Sequence, residues 1–132
     1  MSPPIMRYVS SLPFLALAFL LLSSCASSDV QDKNRYFGCY ELNGRPTLMI
    51  ETHRVSDMSG NENELLGFTK LRDSDFLQVR NRMLVDKLGK FVFAPEASGY
   101  QYEFKRTRNN TLIIYDERGR QFDLVKSGPE CP

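Results

Sequence analysis

The chain contains no tryptophan, one histidine and three cysteines. A single imidazole, His53, has no thiol or second imidazole near it in sequence. Protein metal sites draw on three or four such ligands, so His53 reads as a surface strand residue and no metal is implied. The chain also lacks a G-x-S-x-G nucleophile turn, an H-E-x-x-H zinc motif and a Walker phosphate loop. A triad built on His53 has no identifiable nucleophile. Asp73 with Asp75, and Asp116 with Glu117, come closest to paired acids, and turn acids of this kind are ordinarily solvated. These residues point away from an enzyme and imply no cofactor. An excess of one charge is missing too, with 17 Lys+Arg facing 16 Asp+Glu. A neutral surface carries no electrostatic footprint for nucleic acid.

Long apolar runs are scarce, and the only one lies near the start. Leu12-Pro13-Phe14-Leu15-Ala16-Leu17-Ala18-Phe19-Leu20-Leu21-Leu22 follows a segment whose one charge is Arg7. It falls short of the about 20 apolar residues that a membrane-spanning helix needs, and Pro13 shortens its helical part. A positive start, an apolar core and small residues after it make a secretory signal, expected over residues 1–24. The segment Leu22-Ser23-Ser24-Cys25 resembles the bacterial lipobox, in which small residues enter a protease groove and the cysteine thiol carries the lipid. The resemblance implies a lipidated Cys25 and a membrane anchor. Ala26, rather than aspartate, follows the cysteine. By the sorting pattern of enterobacterial lipoproteins this implies the outer membrane, with periplasmic and surface-facing orientations both open. The polar stretch over residues 25–34 has no periodicity and reads as a lipidated flexible tether. Residues 35–132 then form one compact domain.

With Cys25 consumed by lipid, Cys39 and Cys131 remain, one near each end of the domain. Two thiols in an oxidising envelope compartment suggest a disulfide. Closing so long a loop is worth roughly 4 kcal/mol in the chain-entropy account. Two free buried thiols, or a bridge between chains, are the alternatives.

The domain reads as strand after strand. Tyr36–Leu42 is followed by Asn43-Gly44, a hairpin signal because both residues tolerate positive φ. Thr47–Thr52 is next, then a polar loop over Asp57–Glu64, then Leu65–Leu71 with Gly67 marking a bulge or bend. Asp75–Leu84 is ambiguous. Leu77, Val79 and Met83 share a strand face that Asn81 breaks, and a helix capped by Ser74 is the competing reading; strand is preferred. Lys90–Ala94 stops at Pro95. Tyr100–Lys105 alternates, with Tyr100, Tyr102 and Phe104 on one face. Thr111–Asp116 and Gln121–Val125 complete the set, joined through Arg118-Gly119. Short strands at this spacing predict an all-β fold, a small antiparallel barrel of about eight strands, closed because closure removes exposed edges. The three aromatics on one face suit either a ligand cup of lipocalin-like type or, in so small a domain, a filled core. Lys105, Arg106 and Arg108 precede one turn and Arg118 and Arg120 flank the next. Both groups read as an anion-binding rim or as solvated edge residues, and successive hairpin turns put them at opposite ends.

Size, lipobox and cysteine placement together resemble the membrane-bound inhibitors of c-type lysozyme, which are small barrels on a lipid anchor. Phe37-Gly38-Cys39 is similar to the family's aromatic-x-Cys, Ser98-Gly99-Tyr100-Gln101-Tyr102 to its S-G-x-x-Y loop, and Cys131 to its late cysteine. In place of its F-W-x-K-G-x-x-A segment this chain has Ile114-Tyr115 and, one residue further on than in the family, Arg118-Gly119. The resemblance implies a protein-binding site at Ser98, Gly99, Tyr100, Tyr102 and Arg118, with the serine and the later cation reaching the two acids of a lysozyme cleft. It implies an envelope lipoprotein that binds a host or competitor lysozyme. A structural or accessory lipoprotein, such as a pilotin or secretion-complex subunit, is the competing expectation, and a small-ligand carrier is a third.

Overall fold

The computed structural model describes residues 28–105 and 110–132. Eleven strands follow in order: β1 Ser28–Asp29, β2 Gly38–Leu42, β3 Arg45–Ile50, β4 Arg54–Asp57, β5 Glu62–Leu71, β6 Ser74–Val79, β7 Arg82–Val85, β8 Phe91–Ala94, β9 Tyr100–Glu103, β10 Thr111–Asp116 and β11 Gln121–Gly128. A 3-10 turn, Lys33–Tyr36, leads into β2. No helix among the described residues is long and apolar enough to cross a membrane.

The strands pair as β8-β7-β10-β11-β2-β3-β4-β5-β6-β9, with β1 added beside β5. This corrects the expectation of a closed antiparallel barrel of about eight strands, lipocalin-like or inhibitor-like. The sheet is all-β as expected, but it is mixed and not closed. Among the described residues its one parallel pair is β7 with β10, through Leu84 opposite Tyr115 and Val85 opposite Asp116. The physical cause lies at Arg80-Asn81. There the run expected as one strand, Asp75–Leu84, divides: β6 pairs with β9, while β7 crosses to β10. One edge of β10 accepts one neighbour at each level. With β7 beside residues 115 and 116, β9 reaches β10 only through the isolated bridge of Phe104 with Leu112.

The break is held by side chains that stand in for backbone. Asn63 is 1% exposed. Its Nδ2 donates to the Asn81 carbonyl at 2.8 Å, and the Asn81 N–H donates to its Oδ1 at 2.8 Å. A buried polar residue is tolerated because both ends of its amide are satisfied. Tyr102 does the same one strand over. Its hydroxyl donates to the Met83 carbonyl at 2.7 Å and accepts from the Met83 N–H at 2.6 Å.

The core follows the period-2 alternation of the strands. Leu48 and Ile50, Leu77 and Val79, Leu112 and Ile114, and Leu124 are completely buried, each worth about 1.5–3 kcal/mol against exposure. Tyr36, Phe68 and Phe104 stack inside, with Tyr36 and Phe104 centroids 3.9 Å apart. Phe104 and Tyr102 are therefore core residues. The Tyr36 hydroxyl donates to the Asp75 carboxylate. Burial first, then that hydrogen bond and the charge of Asp75, push the phenol above its ordinary range.

Other differences are local. The polar loop expected over Asp57–Glu64 is a hairpin turn, because Arg54–Asp57 forms β4 with Val55 inward, opposite Asn63. The pairing of β5 with β6 shifts register between Leu65 and Gly67, the glycine read as a bulge. Of the segment read as a tether, residues 28–34 are described: Ser28 and Asp29 pair with Lys70 and Thr69, and Val30 is buried in the core. Gly38 has φ +145°, and a Cβ there would lie 2.4 Å from the Gly128 carbonyl oxygen. Beside it, Cys39 and Cys131 are bonded, with Cα atoms 4.9 Å apart.

Candidate functional site

Three hairpin turns repeat one local design, Asp-x-x-Gly-x: Asp57-Met58-Ser59-Gly60-Asn61, Asp86-Lys87-Leu88-Gly89-Lys90 and Asp116-Glu117-Arg118-Gly119-Arg120. In each, one aspartate Oδ1 accepts the N–H groups two and four residues on, all at 2.8–2.9 Å. The glycine N–H donates to the aspartate carbonyl. The glycine has φ between +78° and +87° in all three, the left-handed region that a side chain resists. Asp116 illustrates the electrostatics. Burial raises its carboxyl, but the Arg120 N–H and guanidinium and the Arg118 N–H outweigh this, and it is held below the usual carboxylate range.

These turns, with the Asn43-Gly44 hairpin, gather at one end of the domain. The Asn43 hairpin, the β4–β5 turn and the β7–β8 turn surround a cavity of about 520 Å³. The β7–β8 and β10–β11 turns share a smaller one of about 180 Å³. Turn tips project from this end, with Leu88 92% and Met58 49% exposed. Arg118 is exposed and lines the smaller cavity with Lys87, Glu117 and Arg120. Of these three aspartates, Asp116 is also the one that stands beside Glu117 as a candidate acid pair, and here its carboxylate is spent on its own turn. The recurrence of Asp-x-x-Gly between strands is the signal that finds them.

The opposite end carries β1. It pairs near the end of β5 remote from the turns, at Thr69 and Lys70. That is roughly 25 Å along the strand from Glu62 at strand spacing.

The residues implied by the lysozyme-inhibitor resemblance are dispersed. Ser98 is exposed and Gly99 has φ +80°, with a Cβ there only 3.1 Å from Leu66 Cδ1 and 3.2 Å from the Val79 carbonyl oxygen. Tyr100 is 40% exposed, with the Arg82 guanidinium 5.6 Å from its ring centre. Tyr102 is 3% exposed and spends its hydroxyl on Met83, so it offers a partner no contact surface. Ser98 follows β8, whose Ala94 lies opposite Arg82 at the start of β7. Arg118 follows β10, whose Asp116 lies opposite Val85 at the end of β7. Ser98 and Arg118 thus follow strands that meet opposite ends of β7, itself roughly 10 Å long, and β7 does not bring them together.

Of the two basic groups, Lys105 pairs with Asp123 at 2.6 Å and Arg120 with Asp116 at 2.7 Å. Arg106 and Arg108 lie outside the described residues, as does Cys25. His53 is exposed between β3 and β4, and among the described residues no group of His, Cys, Asp and Glu is placed to hold a metal ion. No family model, curated protein or solved structure matches the chain.

Proposed function

We propose that this chain is an outer-membrane lipoprotein, anchored through Cys25, whose folded domain binds another protein, with c-type lysozyme the first partner to test. The observation that carries the reading is the opposition of the two ends. Ser28 is three residues on from Cys25, and a chain that short spans at most about 10 Å. The β1 end is accordingly the membrane-facing end. The turn end, with Arg118 and the two apolar tips Met58 and Leu88, faces away from the bilayer, where a protein partner approaches.

Two exposed groups carry the inhibitor version of this reading. Ser98 donates and accepts hydrogen bonds from a loop whose glycine is packed against Leu66 and Val79. The Arg118 guanidinium matches a carboxylate in two-pronged fashion. Their separation calls for a cleft wide enough to receive both. The exposed apolar tips favour a second reading, an accessory subunit of an envelope assembly, because apolar turn tips suit a protein contact better than open water.

The test uses the full chain in detergent, added to c-type lysozyme in a cell-wall lysis assay beside Ser98→Tyr and Arg118→Glu. Inhibition by the wild type and loss in either variant supports the reading. No inhibition at micromolar concentration ends the lysozyme version and leaves the accessory reading. Inhibition unchanged in both variants keeps the function and moves its site.

A further inference from the structure

At one end of the strand order, β8 has no neighbour on its outer edge among the described residues. β8 ends the strand order, and its only partner among the described residues is β7. Hydrogen-bond parity tells which groups face outward. The Asp86 N–H donates to the Lys90 carbonyl at 2.8 Å, which makes that pair a hydrogen-bonded one. Antiparallel pairs alternate. Val92 opposite Leu84 and Ala94 opposite Arg82 therefore turn their N–H and C=O groups toward β7. Phe91 and Phe93 turn theirs away from it. No backbone partner meets either residue on that side among the described residues.

This edge borders the larger cavity. The cavity is lined on one side by Gly89, Lys90 and Phe91, and on the others by Leu42 and Pro46 beside the Asn43 hairpin and by Met58 of the β4–β5 turn. It is thus an open groove of about 520 Å³ with mixed polar and apolar walls, and Phe91, the first residue of the unpaired strand, stands at its rim. Its charge is one-sided. Arg45 and Lys90 line it and form no ion pair among the described residues, whereas the one acid present, Asp57, has both oxygens engaged by its own turn.

From this geometry we infer that the β8 edge and its groove bind an extended acidic segment of a partner protein by strand addition. Main-chain hydrogen bonds to Phe91 and Phe93 supply affinity that is independent of sequence, and alternate side chains enter the groove. Arg45 and Lys90 select acidic side chains there and repel basic ones. The strand is four residues long, flanked by Lys90 and Pro95, which are features that blunt indiscriminate edge pairing. They leave room for a short, charge-matched guest. The site is separate from Ser98 and does not depend on lysozyme being the partner.

Three octapeptides test it, alternating valine with glutamate, with glutamine or with lysine, each titrated against the full chain in detergent at low salt. The glutamate peptide is expected to bind at least tenfold tighter than the lysine peptide. It should slow amide hydrogen exchange at Phe91 and Phe93 at least tenfold. Arg45→Glu combined with Lys90→Glu, both at exposed positions, should reverse the order of the peptides while leaving the melting temperature near that of the wild type. Equal binding of all three peptides, binding without protection at Phe91 and Phe93, or no binding at millimolar peptide overturns the proposal. Protection of the same two amides that rises with protein concentration, without peptide, identifies a second copy of this chain as the occupant and overturns the acidic-segment assignment.

Discussion

Removing the Tyr102 hydroxyl separates an internal role from a binding role. Tyr102→Phe keeps the ring in place beside Met83 and deletes one oxygen. In the wild type that oxygen satisfies two main-chain groups of Met83. They have no alternative in the sheet: Met83 and Phe93 form a pair whose backbone groups point away from each other, and the pairing of β7 with β10 begins only at Leu84. Met83 is 1% exposed, so water does not replace the phenol. Leaving a buried donor or acceptor unsatisfied costs about 1–3 kcal/mol, so the two together cost roughly 2–6 kcal/mol. For a domain of about 100 residues, at about 4–5 °C per kcal/mol, that lowers the melting temperature by roughly 8–30 °C. Urea unfolding followed by circular dichroism, with the disulfide intact, reads the loss as a lower midpoint at unchanged slope. Binding of any partner to the folded fraction should be unchanged. A loss below about 0.5 kcal/mol would refute the account of Met83. A folded variant that loses partner binding would return Tyr102 to the contact surface.

Three further outcomes are expected. Asn63→Leu should cost about 2–4 kcal/mol in the same unfolding measurement, because it strands the Asn81 N–H and C=O at the β6–β7 break. Reduction of Cys39–Cys131, which spans 92 residues, should cost roughly 4–5 kcal/mol by loop entropy, and peptide mapping without reduction should recover the linked pair. Asp116 contributes stability above its unfolded value of about 3.9, and this is lost as pH falls through its depressed folded value. Asp116→Asn should therefore destabilise at neutral pH, and the gap to the wild type should narrow below about pH 4 in acid unfolding curves.

Much of the local structure was legible in the chain, and the reason is periodicity. A strand turns successive side chains to opposite faces, so Leu77 and Val79, and Leu112 with Ile114, declare their inward face without any knowledge of neighbours. Asn43-Gly44 and Arg118-Gly119 declare turns because few residues accept positive φ. The expected Cys39–Cys131 bond is present in the structure. The same logic failed where polar residues carried structure. In β4 the one buried apolar residue is Val55, so no alternation marks it as a strand, and the polar run Asp57–Glu64 reads as a loop although it contains Asn63, which clamps the sheet.

Sequence by itself, then, determined the all-β character, most strand positions, the inward faces and the turn chemistry, all set by contacts within a few residues. Which strand lies beside which was decided only in the tertiary structure. Alternation names a face and never a neighbour. Nothing local at Leu84 says that it will lie parallel to Tyr115 instead of continuing beside β9. That choice depends on the Asn63 clamp, the Tyr102 hydroxyl and the single available edge of β10, which are brought together from residues far apart in the chain. The same long-range choice leaves the outer edge of β8 bare, sets Ser98 and Arg118 after strands that meet opposite ends of β7, and turns Tyr102 from a candidate contact into part of the core.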